Sequence, residues 1–141
     1  MPKQIIHGQN DRVTEWVSRL VAEDDFGPSV AIGLEEDGQL IAGVVYNMYT
    51  IASLSMHVAA VPGKRWMTKE YLYACFAYPF LTAGCHRVTG LVREDNLPAQ
   101  KFDEHLGFKR EGLLRMGCED GTNMIVYGML RRECRWLEIN K

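Results

Sequence analysis

Nowhere in the 141 residues does an apolar run approach the roughly 18 that a membrane-spanning helix needs. CxxC spacing is also missing. The four cysteines, Cys75, Cys85, Cys118 and Cys134, are scattered, and no histidine pair stands at metal-ligand distance from them. Reduced, buried thiols and no metal are expected. Nor is there an excess of positive charge: 16 Lys and Arg against 18 Asp and Glu give a net charge of -2 and a pI near 6.1. That balance offers no basic field for nucleic acid. The opening residues Met1-Pro2-Lys3-Gln4 lack the apolar core of a secretory leader, so a cytoplasmic location is the expectation. No repeat, linker or low-complexity stretch divides the chain.

What is present is ordinary for a globular fold: 47% hydrophobic and 24% charged residues, in a length that suits one domain over 1–141. Gln4 to His7 reads as a short strand. Asn10 or Asp11 then caps a helix in which Val13, Trp16, Val17 and Leu20 form one apolar stripe, broken by Phe26-Gly27-Pro28. Ser29 to Leu34 and Gln39 to Tyr49 read as strands of a hairpin turning at Glu36-Asp37-Gly38. From Ala52 to Val61 side chains alternate, with Leu54, Met56 and Val58 on one face and Ser53, Ser55 and His57 on the other. After the loop 61–66, helical spacing runs from Thr68 to Gly84, kinked or shortened by Pro79. His86 to Arg93 is β-rich, Asn96 opens a helix that Gly107 ends, and Phe108 to Cys118 pairs with Asn123 to Leu130 across Glu119–Thr122. The order β-α-β-β-β-α-β-α-β-β gives an α/β (α+β) fold: a mixed central sheet with helices packed on it.

One boundary carries most of the chemistry. A strand runs into Val61-Pro62-Gly63-Lys64-Arg65-Trp66 and then into a helix, whose first N–H groups face outward. With Lys64 and Arg65 adding charge, a pyrophosphate fits there; the alternative is a solvated loop with two surface cations.

The stretch from Asn96 through Ala99 to Leu106-Gly107-Phe108-Lys109-Arg110-Glu111-Gly112 resembles the "N-x-x-A/S … LGF-x-x-EG" signature of the GNAT N-acetyltransferases. The similarity is greatest to the branch that acetylates protein N-termini, ribosomal-protein N-termini among them, and small amines, and within it to short phage-type forms. Gly84-Cys85-His86-Arg87-Val88 resembles the family's turn into its fifth strand, and Glu111 to Arg115 followed by Asp120-Gly121 its last hairpin. The resemblance spans roughly residues 29–130. It implies a mostly antiparallel sheet with splayed middle strands, helices on both faces, and acetyl-CoA as co-substrate. The implied coenzyme site comprises Val58, Ala59, Ala60 and Val61 for the pantetheine arm, Gly63, Lys64, Arg65, Trp66 and Met67 for the pyrophosphate, and Asn96 and Phe102. The amine would attack the thioester directly.

Two departures from the family pattern stand out. In the loop, Lys64 and Trp66 occupy two glycine positions, which Gly63 offsets in part. Where the family carries a tyrosine as acid, this chain has Asp103, ionised at neutral pH unless burial raises its pKa. His57 is the candidate base, sharing a strand face with Ser53 and Ser55; its alternative is a half-buried histidine satisfied by a neighbouring strand. Tyr46, Ser55 and Tyr127 are candidate acceptor-lining residues, with core packing the alternative for the tyrosines. Arg87, Arg93, Glu111 and Arg115 read as solvated sheet-edge charges. Trp136-Leu137 reads as a partner contact, a homodimer contact or core. A single helix before Ser29 leaves an open cleft, which favours a protein N-terminus or lysine as acceptor. The leading expectation is an N-acetyltransferase; the alternative is a catalytically silent GNAT fold that binds a protein partner, with or without coenzyme A.

Overall fold

The computed structural model describes residues 2–21 and 26–138. Among the described residues, seven strands form one sheet in the order β1-β2-β3-β4-β5-β7-β6. They are β1 (Lys3–Ile6), β2 (Val30–Glu36), β3 (Gln39–Asn47), β4 (Ser53–Ala60), β5 (Arg87–Arg93), β6 (Lys109–Leu114) and β7 (Met124–Leu130). Every neighbouring pair is antiparallel except β4 and β5. The β2–β3 hairpin closes on Asp37 and Gly38, both at positive φ. The parallel pair follows from the crossover between its strands through α2 (Lys69–Ala77), since a hairpin cannot make parallel neighbours.

The alternation of β4 sorts its side chains as the sequence indicates. Helix α1 (Asn10–Val21) lays Val13 and Val17 on one face of the sheet, with Ile6, Ala31, Leu40, Val45 and Ala59. Gly43 allows that approach, because a Cβ there would stand 2.7 Å from Val17 Cγ2. On the opposite face, α2 and α3 (Leu97–Leu106) cover the larger core, which includes Ile32, Leu54, Phe76, Val88, Ile125 and Met129. Trp136 and Leu137 are half-buried against this core, and the Trp136 indole donates to the Leu106 carbonyl at 2.8 Å, so both serve the chain's own packing. All four cysteines are buried, with no disulfide among the described residues. Among the described residues no helix is long and apolar enough to cross a membrane.

Pro79 does shorten α2, and the way it does so is specific. The helix ends at Ala77 and continues as one π-helical turn, Tyr78–Thr82, with Ala83 N–H bonded to the Tyr78 carbonyl at 2.8 Å. A regular helix would have residue 79 donate to the Cys75 carbonyl, which proline cannot do. Tyr46, reaching across from β3, supplies the donor instead: its hydroxyl lies 2.6 Å from that carbonyl.

Candidate active site

Strands β4 and β5 pair over only three residues: Ser53 with Arg87, Leu54 with Val88 and Ser55 with Thr89. Beyond them β4 stays paired to β3 as far as Ala60, and β5 to β7 as far as Arg93, so the two central strands part. The Val61 N–H bonds to the Ile41 carbonyl at 2.9 Å. Antiparallel alternation then turns the main-chain groups of His57, Ala59 and Val61 toward β3, and those of Val58 and Ala60 into the gap. Of the four residues expected to grip a pantetheine arm through their main chain, Val58 and Ala60 therefore face the gap, while Ala59 and Val61 do not.

At the open end of the gap, Gly63 has a φ of 81° and the Lys64 N–H closes a turn on the Val61 carbonyl at 3.3 Å. Thr68 caps α2, its hydroxyl accepting from the Tyr71 N–H at 3.1 Å, which leaves the N–H groups of Lys69 and Glu70 directed outward. Lys64 pairs with Glu36 at 3.4 Å, and no ion pair engages Arg65 among the described residues. Trp66 does not point outward as the loop's cations do; its indole packs between Tyr71 and Phe102, with ring centroids 6.2 and 5.6 Å away. Met67 is half-buried against the core beside it. Asn96 caps α3, accepting from the Ala99 N–H at 3.2 Å, and stands exposed just past the end of β5.

At the apex, the two faces of the sheet present different groups. His57 lies opposite Val45, hence on the α1 face. Its Nε2 is 2.8 Å from Asn47 Oδ1, and the Asn47 amide donates to the Phe26 carbonyl at 2.9 Å. That assigns Nε2 as the donor in this contact. Phe26 packs on the ring at 4.8 Å. Ser55 is buried beside it, and Ser53 is hydrogen-bonded to Thr89 at 3.2 Å.

On the other face, Asp103 in the last turn of α3 reaches Gly90, the first β5 residue beyond the paired segment. No hydrogen bond or ion pair satisfies its carboxylate among the described residues. Burial, with a smaller contribution from the Glu104 charge, pushes its pKa up to about 7. An acid read from the sequence as ionised by default is thus poised near neutrality. Tyr127 lies on this same face and is fully buried, its hydroxyl donating to Glu104 at 2.7 Å. Burial and then that bond raise its pKa to about 12. Tyr46 is equally buried, with its hydroxyl committed to the helix.

Sequence reasoning missed a polar strip on the α1 face. Arg87 and Arg93 are not edge charges, because β5 is a central strand. Arg87 makes a two-point pair with Glu111, at 2.7 and 3.2 Å, and donates through Nε to Thr89 at 3.2 Å. The pair sits over Gly128, where a Cβ would collide with both side chains. Arg93 joins Asp95 and Asp120 at 3.0 and 2.9 Å. The usable signal was Gly128, a strand glycine lying between the two charged positions.

This fold, with its parting central pair, is that of the GNAT acetyltransferases. The chain is similar in structure to the dodecameric spermidine N-acetyltransferase of Vibrio cholerae, at a TM-score of 0.73 and 12% identity over 99% of this chain and 98% of that one. The manganese complex of the spermidine/spermine N-acetyltransferase SpeG from the same organism gives 0.71 and 13%, over 99% and 97%. A T. thermophilus protein described as a candidate acetyltransferase gives 0.64 and 23%, over 83% and 65%. No protein-family model and no curated sequence matches the chain.

Proposed function

We propose that this protein is an acetyl-CoA-dependent N-acetyltransferase acting on an amine carried by a polypeptide, an N-terminus or a lysine. One observation carries the reading: where the parallel central strands part, an imidazole stands on one face of the sheet and an unpartnered carboxylate on the other. The main-chain groups of Val58 and Ala60 suit the amides of an extended pantetheine arm. Arg65, Gly63 and the first-turn N–H groups of α2 suit its pyrophosphate, with Asn96 at the open end. Trp66, Met67 and Phe102 offer the apolar wall between α2 and α3.

In the proposed reaction the neutral amine nitrogen bonds to the thioester carbonyl carbon and the carbon–sulfur bond breaks. His57 takes the proton from the nitrogen, and Asp103 gives one to the departing sulfur. A carboxyl poised at about 7 is partly protonated at neutral pH, as this role needs. Both groups then exchange protons with water.

The acceptor class follows from the α1 face. Helix α1 packs on β2, β3 and β4, leaving the β5–β7–β6 half of that face without a helix among the described residues. Half-buried Leu91 and Val126 and exposed Leu114 lie there, giving a polypeptide an open, partly apolar surface. A small polycation would need unneutralised carboxylates, whereas Glu111, Asp95 and Asp120 are already paired with arginines.

The test is coenzyme A thiol release from acetyl-CoA with peptides and with free polyamines, and mass spectrometry of the products. Peptide acetylation that His57→Gln slows by about 100-fold or more is expected. Turnover confined to free polyamines would overturn the acceptor class, and no acetyl-CoA binding by calorimetry at millimolar ligand would overturn the activity.

A further inference from the structure

Glycine inside a strand forgoes side-chain packing, and it commonly marks a bulge or a close approach. Gly90 is in no bulge, since the β5–β7 register runs unbroken from Arg87 to Arg93. Its backbone is not in the left-handed region either, so the main chain itself makes no demand for glycine. The demand comes from Asp103. A Cβ at position 90 would stand 2.9 Å from Asp103 Oδ2, tighter than real Cβ contacts allow, while the next side chain, Tyr127, would lie at an ordinary 3.8 Å. Asp103 cannot retreat through its main chain, because its carbonyl accepts the N–H groups of Gly107 and Phe108 at 3.2 and 3.0 Å where α3 ends. Only its side-chain rotamer is free to yield.

We propose that Gly90 is a positioning residue for the acid: the missing Cβ leaves a notch at the apex of the parted strands, and the Asp103 carboxyl is held in it against β5. This rests on the acetyltransferase reading for what the carboxyl does, though not for where it sits. With any side chain at position 90, the carboxyl turns out of the notch toward solvent over α3. The other groups facing it are few. Glu104 neighbours it on α3, Tyr127 on β7 donates to Glu104, and Arg110 is the cross-strand partner of Tyr127 on β6. From β5, Val88 and Val92 share this face and carry no charge.

The experiment compares wild type with Gly90→Ala, Asp103→Asn and the double variants Gly90→Ala/Asp103→Asn and Gly90→Ala/Asp103→Ala. Carbon-13 carboxyl NMR of the ligand-free protein follows the Asp103 titration without reference to activity. The midpoint is expected near 7 in wild type and lower by a unit or more, about the ordinary carboxylate range, in Gly90→Ala. An unmoved midpoint overturns the proposal. In turnover, Gly90→Ala should lower kcat by about 10–100-fold with the KM for acetyl-CoA little changed, and adding Asp103→Asn should cost little more. Full additivity of the two kcat effects overturns it. Should Gly90→Ala fold poorly, Gly90→Ala/Asp103→Ala removes the clash and should regain the lost melting temperature; a double variant as unstable as Gly90→Ala overturns it. A shifted titration in a protein with no acetyl transfer would sink the enzymatic reading and the acid's role together. Transfer with an unmoved titration would sink this inference alone.

Discussion

Replacing Tyr46 with Phe removes one oxygen from a packed interior, and the consequence follows from a proline 33 positions away. The Cys75 carbonyl would normally accept from residue 79, Pro79 has no N–H, and the Tyr46 hydroxyl fills the role at 2.6 Å. Phe keeps the ring and opens no cavity, so the change isolates the bond. Leaving a buried carbonyl short of its donor costs about 1–3 kcal/mol. At an unfolding entropy of about 2.1 cal/mol/K per residue, a chain of this length should lose roughly 3–10 °C in melting temperature. The second variant makes the test specific. Pro79→Ala restores an N–H at the position that should bond Cys75, so Tyr46→Phe should cost about 1 kcal/mol less in that background than in wild type. Calorimetric melts of the four proteins complete the cycle. A Tyr46→Phe penalty under about 0.5 kcal/mol, or strict additivity with Pro79→Ala, would refute the account.

Two further outcomes are expected. Asp103 titrates near 3.8 when unperturbed and at about 7 when folded, so the folded state holds the extra proton between those values and stability falls as pH rises through that window. Asp103→Asn should therefore gain on wild type from pH 4 to pH 8, with little difference at the acid end; urea melts showing a pH-independent difference would contradict this. Thr68→Ala removes the hydroxyl that accepts the Tyr71 N–H and should cost about 1 kcal/mol, read as a lower urea midpoint at unchanged slope; an unchanged midpoint would contradict the cap.

The fold was legible wherever the signal is local. Alternation in β4 set Ser53, Ser55 and His57 against Leu54, Met56 and Val58, and the two faces of the sheet keep that division. Asp37-Gly38 and Gly107 mark a hairpin turn and a helix end, because both need a left-handed backbone. The π-helical turn was not legible: Pro79 announces a disruption, but its form depends on Tyr46, which nothing local connects to Cys75. The site divides in the same way. A strand, a Gly/Lys/Arg loop and a helix start can be read in order, whereas the inward turn of Trp66 depends on Phe102, 36 residues on. The Asp103 carboxyl looked unsuitable because solution chemistry is all the sequence supplies; its burial comes from α3 lying on β5. Arg87 and Glu111 looked like separate surface charges because their meeting place, over Gly128, exists only in the assembled sheet.

Main-chain accounting explains why the parted strands constrain the ligand more tightly than the side chains do. Buried peptide groups are almost always paired, and a central strand normally achieves this on both sides. In β4 the side toward β3 is fully paired, but past Ser55 the side toward β5 has no strand to bond. The main-chain groups of Val58 and Ala60 are left for water or for a ligand. A ligand that replaces the missing strand must be extended, narrow and supplied with amide donors and acceptors at a strand-like repeat. The pantetheine arm of the proposed co-substrate has that character, and its reactive end would reach the apex, where Gly90 and Asp103 meet on one face and His57 stands on the other. Widening the pairing of β4 to β5 by even two residues would satisfy the backbone and abolish this slot. The short register of Ser53–Ser55 against Arg87–Thr89 is thus a feature of the proposed chemistry as much as of the fold.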